Sequence, residues 1–248
     1  MSTPPPSYDE TGTDAPPYSA QRNSLQSSQP SPTISNFILD DTLIRSAKQP
    51  ELGAYRLTHA LDCGFSTIGI SRLVPLGSHR QSTTSRTYER HLYDFSKPVF
   101  SNDVEIVGKR RGALHGTVIF KPYHGLMRTG WEVLHETKDG RKLILRTRPT
   151  RRPARKSELQ WEDGRRSLVA VETQMHSTPD CRPRFHVVAP LDETMADILV
   201  TAWCARIWSI YRIMEAAGKV EDFDSGTSTP YSCSCRDCHV PFLSLPNP

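Results

Sequence analysis

Residues 192–217 read DETMADILVTAWCARIWSIYRIMEAA, the one segment of the chain with the length and composition of a long helix. From Ile198 to Ala205 no residue is charged, and at about 100° per residue those eight positions cover the whole circumference of a helix rather than one stripe. A helix that is apolar all round must be surrounded. Polar groups return at its ends, with Asp192, Glu193 and Asp197 at the start, where acidic groups suit the helix dipole, and Arg212 and Glu215 at the finish. Asp197, Thr201 and Glu215 share one side, but Cys204, Trp208 and Tyr211 interrupt that line, so no continuous polar stripe is left to face water. Arg206, on the opposite side, then requires an acidic partner or an opening at the mouth of whatever encloses it. Residues 195–214 also have the length of a membrane span, but Asp197, Arg206 and Arg212 would each cost about 2.5–3.5 kcal/mol near the bilayer centre. Enclosure by protein fits the pattern better.

The sequence before this segment reads as short strands punctuated by Gly and Pro. Candidate strands are residues 36–39, 54–57, 67–73, 87–95 (TYERHLYDF), 99–107 and 113–120 (ALHGTVIF), the last ending at a Lys-Pro. Residues 131–137 and 142–148 flank Asp139-Gly140, a dipeptide that favours a tight hairpin turn. Residues 159–162 and 168–172 repeat the arrangement around Asp163-Gly164, and residues 185–188 give a last strand before Pro190. Pro190 holds its predecessor extended and sets up a helix start at Asp192. Antiparallel strands in this number leave edges and an apolar face; closing the sheet removes the edges, and a helix fills the interior. The expected fold is mainly β, a closed antiparallel barrel of about ten to twelve strands enclosing one hydrophobic C-terminal helix.

Strands first, an Asp-Gly hairpin series and then one hydrophobic C-terminal helix is an order similar to that of the tubby C-terminal-like superfamily, which includes LURP-one-related proteins and phospholipid scramblases. Residues 159–172 (LQWEDGRRSLVAVE) and 197–208 (DILVTAWCARIW) are the stretches that most resemble it, in particular its fungal members. The resemblance spans roughly residues 34–217 and rests on order and pattern. It implies a barrel around a helix and association with phosphoinositides, although no binding residue of the family matches one for one.

Two flanking segments complete the organisation. Residues 1–33, rich in Pro, Ser, Thr and Gln, cannot bury enough apolar surface to offset chain entropy and are expected to be disordered. Residues 218–248 read as a second, Cys-containing flexible tail. Nothing at the start of the chain reads as a secretory or Arg-rich presequence, so a cytoplasmic protein with reduced thiols is expected, with peripheral membrane attachment as its extension.

In the first segment Pro5-Pro6-Ser7-Tyr8 is a PPxY sequence in a proline-rich context already close to polyproline II. It resembles the ligand of WW domains found in HECT-type ubiquitin ligases and their adaptors, with Pro5, Pro6 and Tyr8 as docking residues. The alternative is a solubilising tail that happens to contain the tetrapeptide. Ala15-Pro16-Pro17-Tyr18 lacks the intervening residue and is not a second copy.

Net charge is +4, and the distribution matters more than the sum. Arg146, Arg148, Arg151, Arg152, Arg155 and Lys156 put six positive charges into eleven residues. Clustered Arg neutralises phosphate bidentately, and each charge near an anionic leaflet contributes about 1 kcal/mol. The run reads either as a site for anionic lipid or as a solvated loop or import-like patch; Arg165, Arg166 and Lys109-Arg110-Arg111 are expected to lie near it. Nucleic acid is not expected, since no aromatic interleaving accompanies the charge. In the tail, Cys233, Cys235, Cys238 and His239 leave three readings open: inert or redox-active thiols, S-acylation beside a basic patch, and a metal site whose spacing is poor for zinc.

No HExxH, GxSxG, P-loop or GxGxxG is present, and no cofactor is implied. His91, His115 and His135 sit in alternating strand patterns and read as structural. Glu132, Glu136, Glu158, Glu162 and Glu172 lie in hairpins, where exposed strand faces are expected. The chain therefore reads as a monomeric, non-catalytic binding or adaptor module. The alternatives are a hydrolase-type enzyme with a site at the barrel mouth, and a purely structural scaffold protein.

Overall fold

The computed structural model describes residues 35–47, 49–76, 87–110, 113–125, 128–150, 158–173 and 182–216. Twelve strands occupy them: β1 (Asn36–Asp40), β2 (Leu43–Ser46), β3 (Gln49–Leu57), β4 (Thr67–Pro75), β5 (Thr87–Ser96), β6 (Val104–Gly108), β7 (Thr117–Gly125), β8 (Arg128–Thr137), β9 (Gly140–Pro149), β10 (Glu158–Asp163), β11 (Leu168–Thr173) and β12 (Arg184–Val187). One helix follows, α1 (Glu193–Ala216). Each strand pairs antiparallel with its sequence neighbours, and β12 returns to pair with β1 through Phe37 and Phe185, closing the barrel.

Alternate side chains point inward. Thr147, Trp161, Ala170 and Val187 form one in-register row across β9 to β12, and Leu39, Ile44 and Tyr55 another across β1 to β3. An eight-stranded barrel is already filled by side chains, so a twelve-stranded one needs more material inside. Helix α1 supplies it. All thirteen residues from Asp197 to Ser209 are buried, which a helix lying on an outer surface could not achieve. Trp203 stacks on Phe185 of β12 with ring centroids 4.9 Å apart, and Trp208 meets Phe95 of β5 edge-on at 5.7 Å. Helix and inner wall form a single apolar cluster. Asp192 caps the helix, accepting the Met195 N–H at 2.7 Å.

Several boundaries differ from the sequence reading. Strand β2 was not anticipated: it has only four residues and follows a hairpin turn in which Asp41 takes a positive φ of 55°. Val99 and Phe100 belong to a turn rather than to the strand expected over 99–107. Strand β7 starts later than expected and runs on through Pro122, tolerated because β6 pairs only as far as Phe120 and Pro122 faces β8 alone. The Asp139-Gly140 turn forms as expected, with Gly140 at φ 123°. At Asp163-Gly164 the turn is longer. Arg166, at φ 71°, carries the left-handed residue, and Asp163 accepts the backbone N–H groups of Arg165 and Ser167. Gly164 is needed for closeness, since a Cβ there would lie 2.7 Å from the Leu143 carbonyl oxygen.

Because the strands run up and down in chain order, their connections alternate between two ends. Helix α1 enters at one end, where its Glu193 meets β4 and β5, and leaves at the other, where Arg212 donates to the Gly64 carbonyl in the β3–β4 connection at 3.5 Å. We call these the entry rim and the exit rim. The β3–β4, β5–β6, β7–β8 and β9–β10 connections open from the exit rim; β6–β7, β8–β9 and β10–β11 open from the entry rim.

Candidate functional site

Of the basic run, Arg146 and Arg148 are described, both on the outer face of β9. Neither is a free cation. Arg146 donates to Glu162 Oε2 through Nε at 2.9 Å and Nη2 at 2.7 Å, and Arg148 Nη1 donates to Glu162 Oε1 at 2.9 Å. Glu162 lies on β10 directly opposite Arg146 and is 6% exposed, so the expectation of an exposed carboxylate does not hold there. Burial pushes the Glu162 carboxyl up, but the hydrogen bonds from Arg148 and Arg146 outweigh that and hold it below the ordinary glutamate range. The trio fixes β9 to β10, the two strands joined by the connection in which Arg151, Arg152, Arg155 and Lys156 stand. Those four residues lie outside the described residues, as do Pro5, Pro6, Tyr8, Cys233, Cys235, Cys238 and His239.

The connection opens from the exit rim, whereas Arg165 and Arg166, between β10 and β11, and Lys109 and Arg110, after β6, belong to the entry-rim connections. Arg165, Arg166, Lys109 and Arg110 thus stand on connections of the rim opposite the one at which β9 ends and β10 begins, while Arg146, through Glu162, reaches toward the Arg165–Arg166 turn.

Two further charge clusters lie inside. Glu172, 1% exposed, projects inward from β11 and is gripped by Arg206 of α1, with Arg206 Nε donating to Oε2 at 2.7 Å and Nη2 to Oε1. The Trp161 indole N–H donates to the same carboxylate at 3.2 Å. Arg206 thus has the acidic partner it required, and Glu172 is not the exposed carboxylate its hairpin position suggested. Near the entry rim, the Tyr55 hydroxyl and Arg72 Nε each donate to Asp197 Oδ1 at 3.0 Å, and Glu193 accepts from Arg72 at 2.7 Å and Arg90 at 2.8 Å. Burial, then the Asp197 carboxylate, push the Tyr55 hydroxyl well above its ordinary range, so it stays a donor. These groups close the helix-entry end with paired charge.

His91, on the outer wall, hydrogen-bonds Ser71 through Nδ1 at 3.3 Å and Asp94 through Nε2 at 2.9 Å, and Lys109 Nζ lies 2.9 Å from the other Asp94 oxygen. The connectivity is that of a nucleophile relay, and no sequence motif announces it because the three residues are spread over two strands. Its chemistry is limited by place. Ser71 is 7% exposed in a continuous wall, away from the barrel mouth, and the imidazole is wedged over Gly69, where a Cβ would lie 2.8 Å from Cε1. It reads as a brace across the bulge between Ile70 and Ser71.

Among the described residues no group of three or more His, Cys, Asp or Glu is placed to hold a metal, and no helix is long and apolar enough to cross a membrane. Cys204 is buried against the core, which pushes its thiol up and leaves it unreactive. A scan against protein-family models found no match, and neither a search of curated proteins nor one of solved structures returned any.

Proposed function

We propose that the chain is a non-catalytic adaptor of the tubby-like kind. In this reading it associates with anionic, phosphoinositide-bearing lipid through Arg151, Arg152, Arg155 and Lys156, and recruits a WW-domain protein through Pro5, Pro6 and Tyr8. The observation that carries the reading is the filled interior. With α1 buried over thirteen consecutive residues and its charges paired inside, chemistry is left to the outer surface and the connections. Twelve antiparallel strands around a C-terminal helix also support the tubby-like resemblance, although a fold alone does not fix a function. In this reading Arg146 and Arg148, both paired with Glu162, hold β9 against β10, and Arg151, Arg152, Arg155 and Lys156 in the connection between those strands are the cations that meet phosphate.

The test is a bridging experiment with the full chain. A purified PPxY-binding WW domain is mixed with phosphoinositide vesicles, and its recovery with the vesicles is measured. Recovery is expected only when the chain is present, and is lost both for Tyr8→Ala and for R151A/R152A/R155A. Recovery unchanged by either variant removes the corresponding arm of the proposal.

A further inference from the structure

We infer that the exit rim is the membrane-facing end of the barrel, and that Val99 and Phe100 are the side chains it inserts into the interface of an anionic bilayer. This rests on the lipid reading above and adds to it an orientation and an apolar contact. The Ser101 N–H donates to the Pro98 carbonyl at 3.1 Å, so Val99 and Phe100 are the two central residues of a hydrogen-bonded turn between β5 and β6. Such corners are ordinarily held by Pro, Gly, Asn, Asp or Ser. Here they hold two large apolar side chains, Val99 89% exposed and Phe100 fully so, while every other exposed large apolar residue described is at most half exposed. The turn is braced, since the Asp103 N–H donates to Ser101 Oγ at 2.9 Å. Two apolar groups held out on a braced tip lose nothing by entering a nonpolar phase, and ordering them costs little further entropy.

The surroundings select a lipid surface as the occupant. Lys97 stands just before the turn, and β9 ends and β10 begins at the same rim, so the connection whose sequence holds Arg151, Arg152, Arg155 and Lys156 is rooted there. Phe65, in the β3–β4 connection on that rim, is half exposed and stacks on His59 at 3.7 Å. Cations beside apolar tips match a surface that is anionic outside and hydrocarbon beneath, and together they give the two attractive contributions that stable peripheral attachment needs. Helix α1 also ends at this rim.

The test uses the full chain and flotation with phosphatidylcholine vesicles containing phosphatidylserine and a phosphoinositide. Wild type is compared with Val99→Ser/Phe100→Ser, with R151A/R152A/R155A, and with Leu168→Ser on the entry rim. All substituted apolar side chains are exposed, so folding is retained, and far-UV circular dichroism checks it. The Val99/Phe100 variant is expected to bind at least about tenfold more weakly at every salt concentration, whereas Leu168→Ser binds as wild type. If that double variant binds like wild type while the arginine variant does not, the electrostatic reading stands and the insertion is wrong. If wild type does not bind at low salt, both are wrong. If the Val99/Phe100 variant instead abolishes a dimer seen by analytical ultracentrifugation with vesicle binding intact, the tip serves a second copy of the chain and the inference fails.

Discussion

A guanidinium in the middle of an apolar helix is costly unless its charge is met, and Arg206 meets Glu172 with two hydrogen bonds in the barrel interior. Removing one partner strands the other. Arg206→Ala is expected to destabilise by about 3–5 kcal/mol in urea unfolding, and Arg206→Met combined with Glu172→Leu to recover most of that loss. On the outer wall Glu162 behaves differently, because its partners hold its pKa below the unfolded value. A carboxylate depressed in the folded state contributes stability that is present above its unfolded pKa and is lost as pH falls through the folded one. Wild type should therefore lose thermal stability as pH drops below about 4.3, the ordinary glutamate value. Glu162→Gln should flatten that part of the profile of melting temperature against pH; an unchanged slope contradicts the assignment. Glu162 and Glu172 were illegible as buried groups in the sequence, where both read as hairpin carboxylates. What betrays them lies far away in the chain: Arg206 for one, and for the other the alternation Arg146, Arg148 on the facing strand.

At the scale of elements, the tryptophans divide by what their indole N–H finds. Trp161 donates to Glu172, whereas the Trp203 N–H has no partner among the described residues although the ring is stacked on Phe185. Trp203→Phe keeps the stack and breaks no hydrogen bond; Trp161→Phe leaves a buried carboxylate short of a donor. Chemical unfolding should show Trp161→Phe costing about 1–3 kcal/mol more than Trp203→Phe. The two hairpins with Asp-Gly separate in the same way. Gly140→Ala places a Cβ in open space and costs about 1 kcal/mol, from the left-handed backbone alone. Gly164→Ala forces the turn away from Leu143 and should cost more in the same assay. The helix was legible because an uncharged run longer than a helical turn admits no exposed face. Most strands were legible from alternation bounded by Gly and Pro. Turn geometry was not, since Asp-Gly signals a hairpin without saying which residue turns left-handed.

For the molecule as a whole, closure of the sheet and enclosure of α1 follow from edges and an apolar circumference, both visible in sequence. The allocation of connections to two rims is not visible there; it needs the order in which strands pair. That allocation sends the basic connection and the Val99–Phe100 tip to one end, and Arg165 and Arg166 to the other. The most direct measurement of the central claim is the affinity of the full chain for phosphoinositide vesicles at low ionic strength, wild type against R151A/R152A/R155A. At about 1 kcal/mol per cation near an anionic leaflet, the account expects the variant to bind roughly 100-fold more weakly, with the difference shrinking as salt rises. Equal affinities for two folded proteins, or a difference that salt does not touch, would contradict it.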